Sequence, residues 1–158
     1  MLPVQSEFIS LLPSDPLQRA QIRYLIHHWT ARVQPAVLRA AFTLDPAEAA
    51  KGREEVIVEL EKFNKLLLNA HRKETDVKEG GHFFLGDKFT FADLALAPFL
   101  ARFFLLGQYN DNKPVTLEEH PQLEKFFQWK DAVLKRPSVQ KSTPSRETLT
   151  TVYRKWVK

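Results

Sequence analysis

The sequence predicts an all-α bundle of five or more helices, and three observations carry that prediction. Glycine is scarce, at five in 158 residues, under half the usual share of about 7%. Ten prolines fall where helices start, kink or stop. Apolar residues recur at helical rather than alternating spacing, and no strand pattern, internal repeat or low-complexity segment appears. A chain of this length is close to one domain and buries about 70% of the surface it exposes when unfolded.

Residues 1–13 carry no periodicity long enough for a helix. Asp15-Pro16-Leu17-Gln18 is the first start signal. Asp15 can cap, Pro16 suits the first helical position, and Gln18 can close a capping box. The helix is predicted to run to about Ala41, with Ile22, Leu25, Ile26, Trp29 and Val33 as its apolar stripe. Pro35 should kink it by removing the bond to Ala31. Asp45-Pro46-Ala47-Glu48 repeats the signal and opens a second helix to about Lys73. Val56, Leu60, Phe63, Leu67 and Ala70 there keep the spacing of a helix packed on a long neighbour. His71-Arg72-Lys73 would complement its dipole, and Thr75 to Gly81 reads as a polar loop.

Thr90-Phe91-Ala92-Asp93 is a capping box with Asp in place of Glu, flanked by Phe89 and Leu94 as a hydrophobic staple. The helix after it, to Leu106, is apolar nearly all round and belongs at the centre of the bundle. Pro98 should bend it. His120-Pro121 opens a fourth helix, with Leu123, Phe126, Phe127, Val133 and Leu134 inward and Pro137 as its stop. A fifth, Ser145 to Val157, should bury Leu149, Val152, Tyr153 and Trp156.

Composition excludes several chemistries. Zero cysteines rule out a disulfide framework, a thiolate nucleophile and Cys-ligated zinc or iron–sulfur. His27 and His28 are adjacent on a helix, so they diverge by about 100° and cannot chelate one ion. No metal is expected. His120 reads as a helix cap, and no G-x-S-x-G, P-loop or Rossmann fingerprint exists. No secretory or transit signal is visible, and Phe89 to Leu106 is too short and too charged to span a membrane. The cytoplasm is the expected compartment. Residues 125–158 hold nine Lys/Arg and two acids, a local net of +7. That is either a solvated face or attraction to an anionic partner. No aromatic-and-basic nucleic-acid motif accompanies it.

The string GDKFTFADLALAPFLARF resembles the signature of the glutathione transferase C-terminal helical domain, in which a Thr/Ser-x-x-Asp box opens the central buried helix. SDPLQRAQIRYLIHHWTARVQPAVLRA resembles the long kinked first helix of that domain, especially in omega-class and fungal omega-like members. HPQLEKFFQW and LKRPSVQKS resemble its penultimate helix and the stop after it. The likeness covers about residues 11–157. It implies residues 14–158 as the helical domain and residues 1–13 as a remnant or linker of the family's thioredoxin-like N-terminal domain. That domain, which holds most of the glutathione site and the catalytic Cys, Ser or Tyr, is not recognisable in the chain. No catalytic residue is assigned, and the chain alone is expected to be inactive.

The resemblance also assigns residues. Gln5-Ser6-x-x-Ile9 resembles the family's Glu-Ser-x-x-Ile element, so Ser6 is the glutathione-binding remnant. Glutathione is the co-substrate of the complete family form, and none is expected on this chain alone. Arg102, four residues after Pro98, matches an omega-like Arg that lines the hydrophobic co-substrate pocket. A structural pairing with Asp93 or a buried carbonyl is the other reading of Arg102. Leu149 and Trp156 fall at pocket positions of the last helix, with core packing as the alternative. Tyr24, His28 and Arg32 step by four along the face that borders the pocket and the glutathione domain in family members, with exposed surface as the other reading. Thr90 and Asp93 are assigned to folding, with a cap worth about 1 kcal/mol.

Three functions follow from the likeness. One is the helical part of a glutathione transferase, supplying the pocket for a small hydrophobic or electrophilic substrate and part of a dimer interface for conjugation or thiol transfer. The second is a stand-alone interaction module without catalysis, and the third is a hydrophobic-ligand carrier. A homodimer is expected, because Ile22, Leu25, Ile26 and Trp29 would form an uncovered apolar patch once the N-terminal domain is gone.

Overall fold

The computed structural model describes residues 10–71, 81–110 and 113–158. Gln5, Ser6, Ile9, Arg72, Lys73 and nearly all of the loop expected over 75–81 lie outside the described residues. The architecture is all-α. Helices α1 (Pro16–His28), α2 (Gln34–Phe42), α3 (Pro46–His71), α4 (Phe91–Ala101), α5 (Glu124–Lys135), α6 (Pro137–Ser142) and α7 (Arg146–Tyr153) follow one another along the chain. Among the described residues no strand forms, and two isolated bridges pair Phe83 with Gly86 and Leu85 with Lys88.

The predicted first helix is continuous but changes pitch. Asp15 caps it, accepting from Leu17 N and Gln18 N at 3.2 Å each. Between α1 and α2 the residues Trp29–Val33 form a π-turn, in which Gln34 N–H reaches back to the Trp29 carbonyl. Pro35 has no N–H and crowds the preceding turn, so widening that turn by one residue absorbs the misfit. Asp45 caps α3 through Ala47 N at 2.9 Å. α2 and α3 cross closely at Gly52, where a Cβ would come within 2.8 Å of Ala40 N. Helical periodicity alone assigns this glycine no role.

α4 sits centrally, with Ala92, Leu96, Ala97 and Leu100 buried. The expected capping box is formed: Thr90 N and Thr90 Oγ1 donate to Asp93 Oδ2 at 2.7 and 2.8 Å. The expected staple takes another form. Leu94 is 43% exposed, while the Phe89 ring meets Phe83 edge-on at 5.3 Å and carries the Arg136 guanidinium at 4.0 Å. Leu11 O accepts from Phe91 N at 2.8 Å, which seats residues 10–13 on the start of α4. The helix stops at Ala101 instead of Leu106, and a 3-10 turn over Phe103–Leu105 follows.

Two further expectations are corrected, and one is extended. The His120 side chain makes no cap hydrogen bond. Asn64 of α3 serves that helix start instead, accepting from Phe126 N at 2.8 Å and donating to Gln122 O at 3.0 Å. Pro137 ends α5 but also opens α6, because a proline is tolerated at the first helical position. In the last helix Leu149 is buried and Tyr153 partly so, whereas Val152 and Trp156 are exposed. After Arg154 the chain turns to pair with the end of α2, Lys158 N donating to Phe42 O at 2.9 Å and Leu44 N to Lys158 O at 2.8 Å. That pairing accompanies Trp156 at the surface.

The apolar stripe of α1 is also not left uncovered. Ile22, Leu25 and Trp29 are buried within the domain, and Ile26 packs against the same core. α3, α4 and the aromatic cluster of Phe63, Phe126 and Trp129 supply the cover. The α1 stripe therefore offers no uncovered apolar patch for a dimer.

Candidate functional site

A cleft of about 310 Å³ opens between α2, the end of α4 and the end of α7. Trp29, Val37, Leu38, Phe42 and Phe99 give it an apolar lining, and Arg102 is its one charged residue. Arg102 reaches this place because α4 ends at Ala101 and residue 102 takes a looser helical conformation, at φ −99° and ψ −1°. Its Nε donates to the Tyr153 hydroxyl at 2.8 Å and its Nη1 to the Pro98 carbonyl at 2.5 Å. Because Arg102 N donates to the Phe99 carbonyl at 3.1 Å, the Pro98 carbonyl, four residues before Arg102, is left for the folded-back side chain. The guanidinium carbon also lies 5.6 Å from the centre of the Tyr153 ring, which stacks on Phe42 at 5.8 Å.

Among the described residues no carboxylate pairs with Arg102. Of the two pairings offered for it, Asp93 is engaged elsewhere, with Trp129 Nε1 at 2.7 Å and Phe84 N at 3.0 Å. A carbonyl and a phenol hold the cation in place without neutralising it. An apolar cleft with one oriented, uncompensated cation suits a ligand that is mostly hydrophobic and presents an electron-rich acceptor.

The other residues named from sequence do not converge here. Leu149 lines a different cleft, on the far side of α4. Trp156 is 58% exposed and outside both. Tyr24 is also 58% exposed. His28 is partly buried between α1 and α3, its Nε2 3.5 Å from Glu59 Oε2 and its ring 6.1 Å from that of Phe63. Arg32 lines a polar groove with Arg39, Glu54 and Glu55. Tyr24, His28 and Arg32 thus run down the side of the helix that faces α3 and solvent. Tyr153 is the residue that sequence reasoning placed only in the core, although it is what orients Arg102. A hydroxyl on the inward face of a helix was the available signal. No group of His, Asp or Glu among the described residues could hold a metal ion, and none of their helices is long and apolar enough to cross a membrane. Ser6 lies outside the described residues.

Comparison with known proteins accords with this architecture. The family described as glutathione S-transferase, C-terminal domain, matches residues 47–128. A probable glutathione S-transferase from Nicotiana tabacum is 32% identical over 145 residues, 92% of this chain and 58% of the relative. Glutathione S-transferase U17 from Arabidopsis thaliana is 29% identical over 140 residues, 89% of this chain and 57% of the relative. The chain thus spans little more than half the length of the curated relatives it matches. In fold it is similar to glutathione transferase Omega 3C from Trametes versicolor, with TM-score 0.69 and 20% identity over 92% of this chain and 55% of that one. It is likewise similar to a Tau class glutathione S-transferase from mango, Mangifera indica, with TM-score 0.71 and 21% identity over 92% and 62%. The family match extends over more than half of the chain and falls on the helices that build the core, α3 to α5: the chain belongs to the glutathione S-transferase family, as its C-terminal helical domain.

Proposed function

We propose that this helical domain supplies the hydrophobic co-substrate cleft of a glutathione transferase, with Arg102 as its polar anchor. The observation that carries the reading is the uncompensated guanidinium, oriented by Tyr153 and Pro98 in an apolar cleft. When a thiolate adds to an electrophile, negative charge develops on the electrophile's acceptor atoms. A fixed cation stabilises that charge more than it stabilises the neutral ground state. In this reading glutathione and its activating residue belong to the thioredoxin-like part of a complete transferase. The omega-like assignment rests on the likeness of the long kinked first helix and on the spacing from Pro98 to Arg102. A homodimer and a cytoplasmic location belong to the same proposal.

Chlorodinitrobenzene is a suitable probe, because its nitro oxygens accept hydrogen bonds and nitroarenes quench indole fluorescence. Trp29 lines the cleft, so saturable quenching is expected. Arg102→Met should weaken it about tenfold, the size of one charge-assisted hydrogen bond, and Arg102→Lys should recover part of the loss. Equal quenching constants for wild type and Arg102→Met sink the reading. The alternative, an interaction module without catalysis, is favoured by the +7 charge of residues 125–158; retention of an anionic partner by protein indifferent to the nitroarene would select it.

A further inference from the structure

We propose that the indole N–H of Trp29 is a second hydrogen-bond donor of the Arg102 cleft, and that the two donors together select electrophiles bearing two separate acceptor groups. This role rests on the reading of the cleft as the co-substrate site. Among the described residues, Trp29 Nε1, Glu59 Oε2 and His120 Nε2 are buried polar atoms without a hydrogen-bond partner. Of their residues, Trp29 alone lines the apolar cleft. Buried donors are nearly always paired, so each exception calls for a physical reason. The same core shows the usual outcome: Trp129 donates its indole N–H to Asp93 Oδ1 at 2.7 Å.

The neighbours of Trp29 explain why its donor is left over. Its ring meets Phe63 edge-on at 5.3 Å and stacks on Phe126 at 6.2 Å, and neither hydrocarbon ring carries an acceptor oxygen. In the cleft, the Tyr153 hydroxyl and the Pro98 carbonyl already accept from Arg102. Gln34 also lines the cleft, with its backbone N–H taken by the Trp29 carbonyl. Trp29 itself opens the π-turn, a distortion that recurs at functional sites. Depth separates the two donors. Trp29 is 1% exposed and forms the floor, whereas Arg102 is partly exposed. A ligand with one acceptor group satisfies one donor and leaves the other unmet. An arene or enone with two nitro, carbonyl or sulfonyl groups reaches both, and the charge that a thiolate delivers to those groups is then stabilised at two points.

The test is the indole N–H spectrum of the nitrogen-labelled chain titrated with chlorodinitrobenzene, with affinities read from the backbone amides of Phe99 and Tyr153. Trp129, bonded to Asp93, and Trp156, at the surface, are internal controls. The Trp29 indole proton is expected to move downfield while both controls stay. Chlorodimethylbenzene, of the same shape but without acceptors, should not move it downfield. Chloronitrobenzene, with one nitro group, should bind wild type about tenfold more weakly than chlorodinitrobenzene, the effect of one hydrogen bond. In Trp29→Phe that preference should vanish. The preference is a ratio within each protein, so a lower stability of the variant cancels. A Trp29 proton unmoved by the nitroarene, a shift that chlorodimethylbenzene reproduces, or a preference that persists in Trp29→Phe each overturns the second donor. Failure of the Arg102 reading looks different: Arg102→Met would leave affinity unchanged while the Trp29 shift and its preference remain, which supports the donor and removes the anchor.

Discussion

Trp129 donates its indole N–H to Asp93 Oδ1 at 2.7 Å, joining the middle of α5 to the first turn of α4 in the core. The same carboxylate accepts from Phe84 N, Thr90 N and Thr90 Oγ1. Asp93 is therefore more than a helix cap. It is a fully buried acceptor that satisfies donors from three separate segments.

The first prediction follows from that count. A cap alone is worth about 0.5–2 kcal/mol. Asp93→Ala would also leave the indole and two backbone N–H groups buried without partners, at about 1–3 kcal/mol each before relaxation. The expected loss is about 3–5 kcal/mol, and Trp129→Phe should cost about 1–2 kcal/mol. Chemical denaturation of both variants measures this. A loss for Asp93→Ala confined to the cap range would mean that the wider network contributes nothing.

Gly52→Ala should destabilise, although alanine is intrinsically the better helix former by about 1 kcal/mol. The new Cβ would meet the backbone of Ala40, at 2.8 Å from N and 3.0 Å from Cα, and backbone cannot swing aside. Overpacking of this kind costs about 1–3 kcal/mol. A raised denaturation midpoint would show that α2 and α3 can separate freely at the crossing.

Tyr153→Phe tests how Arg102 is held. The ring and its stacking on Phe42 remain, and only the acceptor of Arg102 Nε is lost. Stability should fall by under about 1.5 kcal/mol, while chlorodinitrobenzene binding weakens several-fold because the guanidinium loses its fixed direction. Fluorescence quenching and a thermal melt on the same sample separate the two effects. Unchanged quenching with lowered stability would make Tyr153 a packing residue only.

Association is expected through the outer face of α2 and α3 rather than through the α1 stripe. Val58 is exposed there beside a groove that carries Arg32, Arg39, Glu54 and Glu55, charges of both signs that a two-fold contact could pair. Sedimentation velocity at micromolar concentration should show a concentration-dependent dimer that Val58→Asp weakens. A monomer without concentration dependence ends this proposal. Trp29→Ala would not test this contact, since it would empty a core position at about 3–5 kcal/mol.

Isothermal titration with glutathione tests the expectation that none binds this chain alone. With no cysteine in the sequence, and with a single serine as the expected remnant, no saturable heat tighter than about 1 mM, some −4 kcal/mol, should appear. A tighter constant would revive catalysis by the isolated chain.

The sequence by itself determined the main helices, the starts of α1, α3, α4 and α7, and the central place of α4. Those features are set by local chemistry: Asp15, Asp45 and Ser145 cap their own helices, and the apolar spacing of Ile22, Leu25 and Trp29 specifies one buried face. Only the tertiary structure decided what the polar groups do. Asp93 to Trp129 and Arg102 to Tyr153 join residues 36 and 51 positions apart. Asn64 replaces His120 as a cap from 62 positions away, and Leu149 and Arg102, one site on sequence grounds, fall on opposite sides of α4. Helix periodicity fixes which side of a helix is apolar. It does not fix how far neighbouring helices are rotated about their axes, and a rotation of one residue, about 100°, moves a side chain from one cleft to the next.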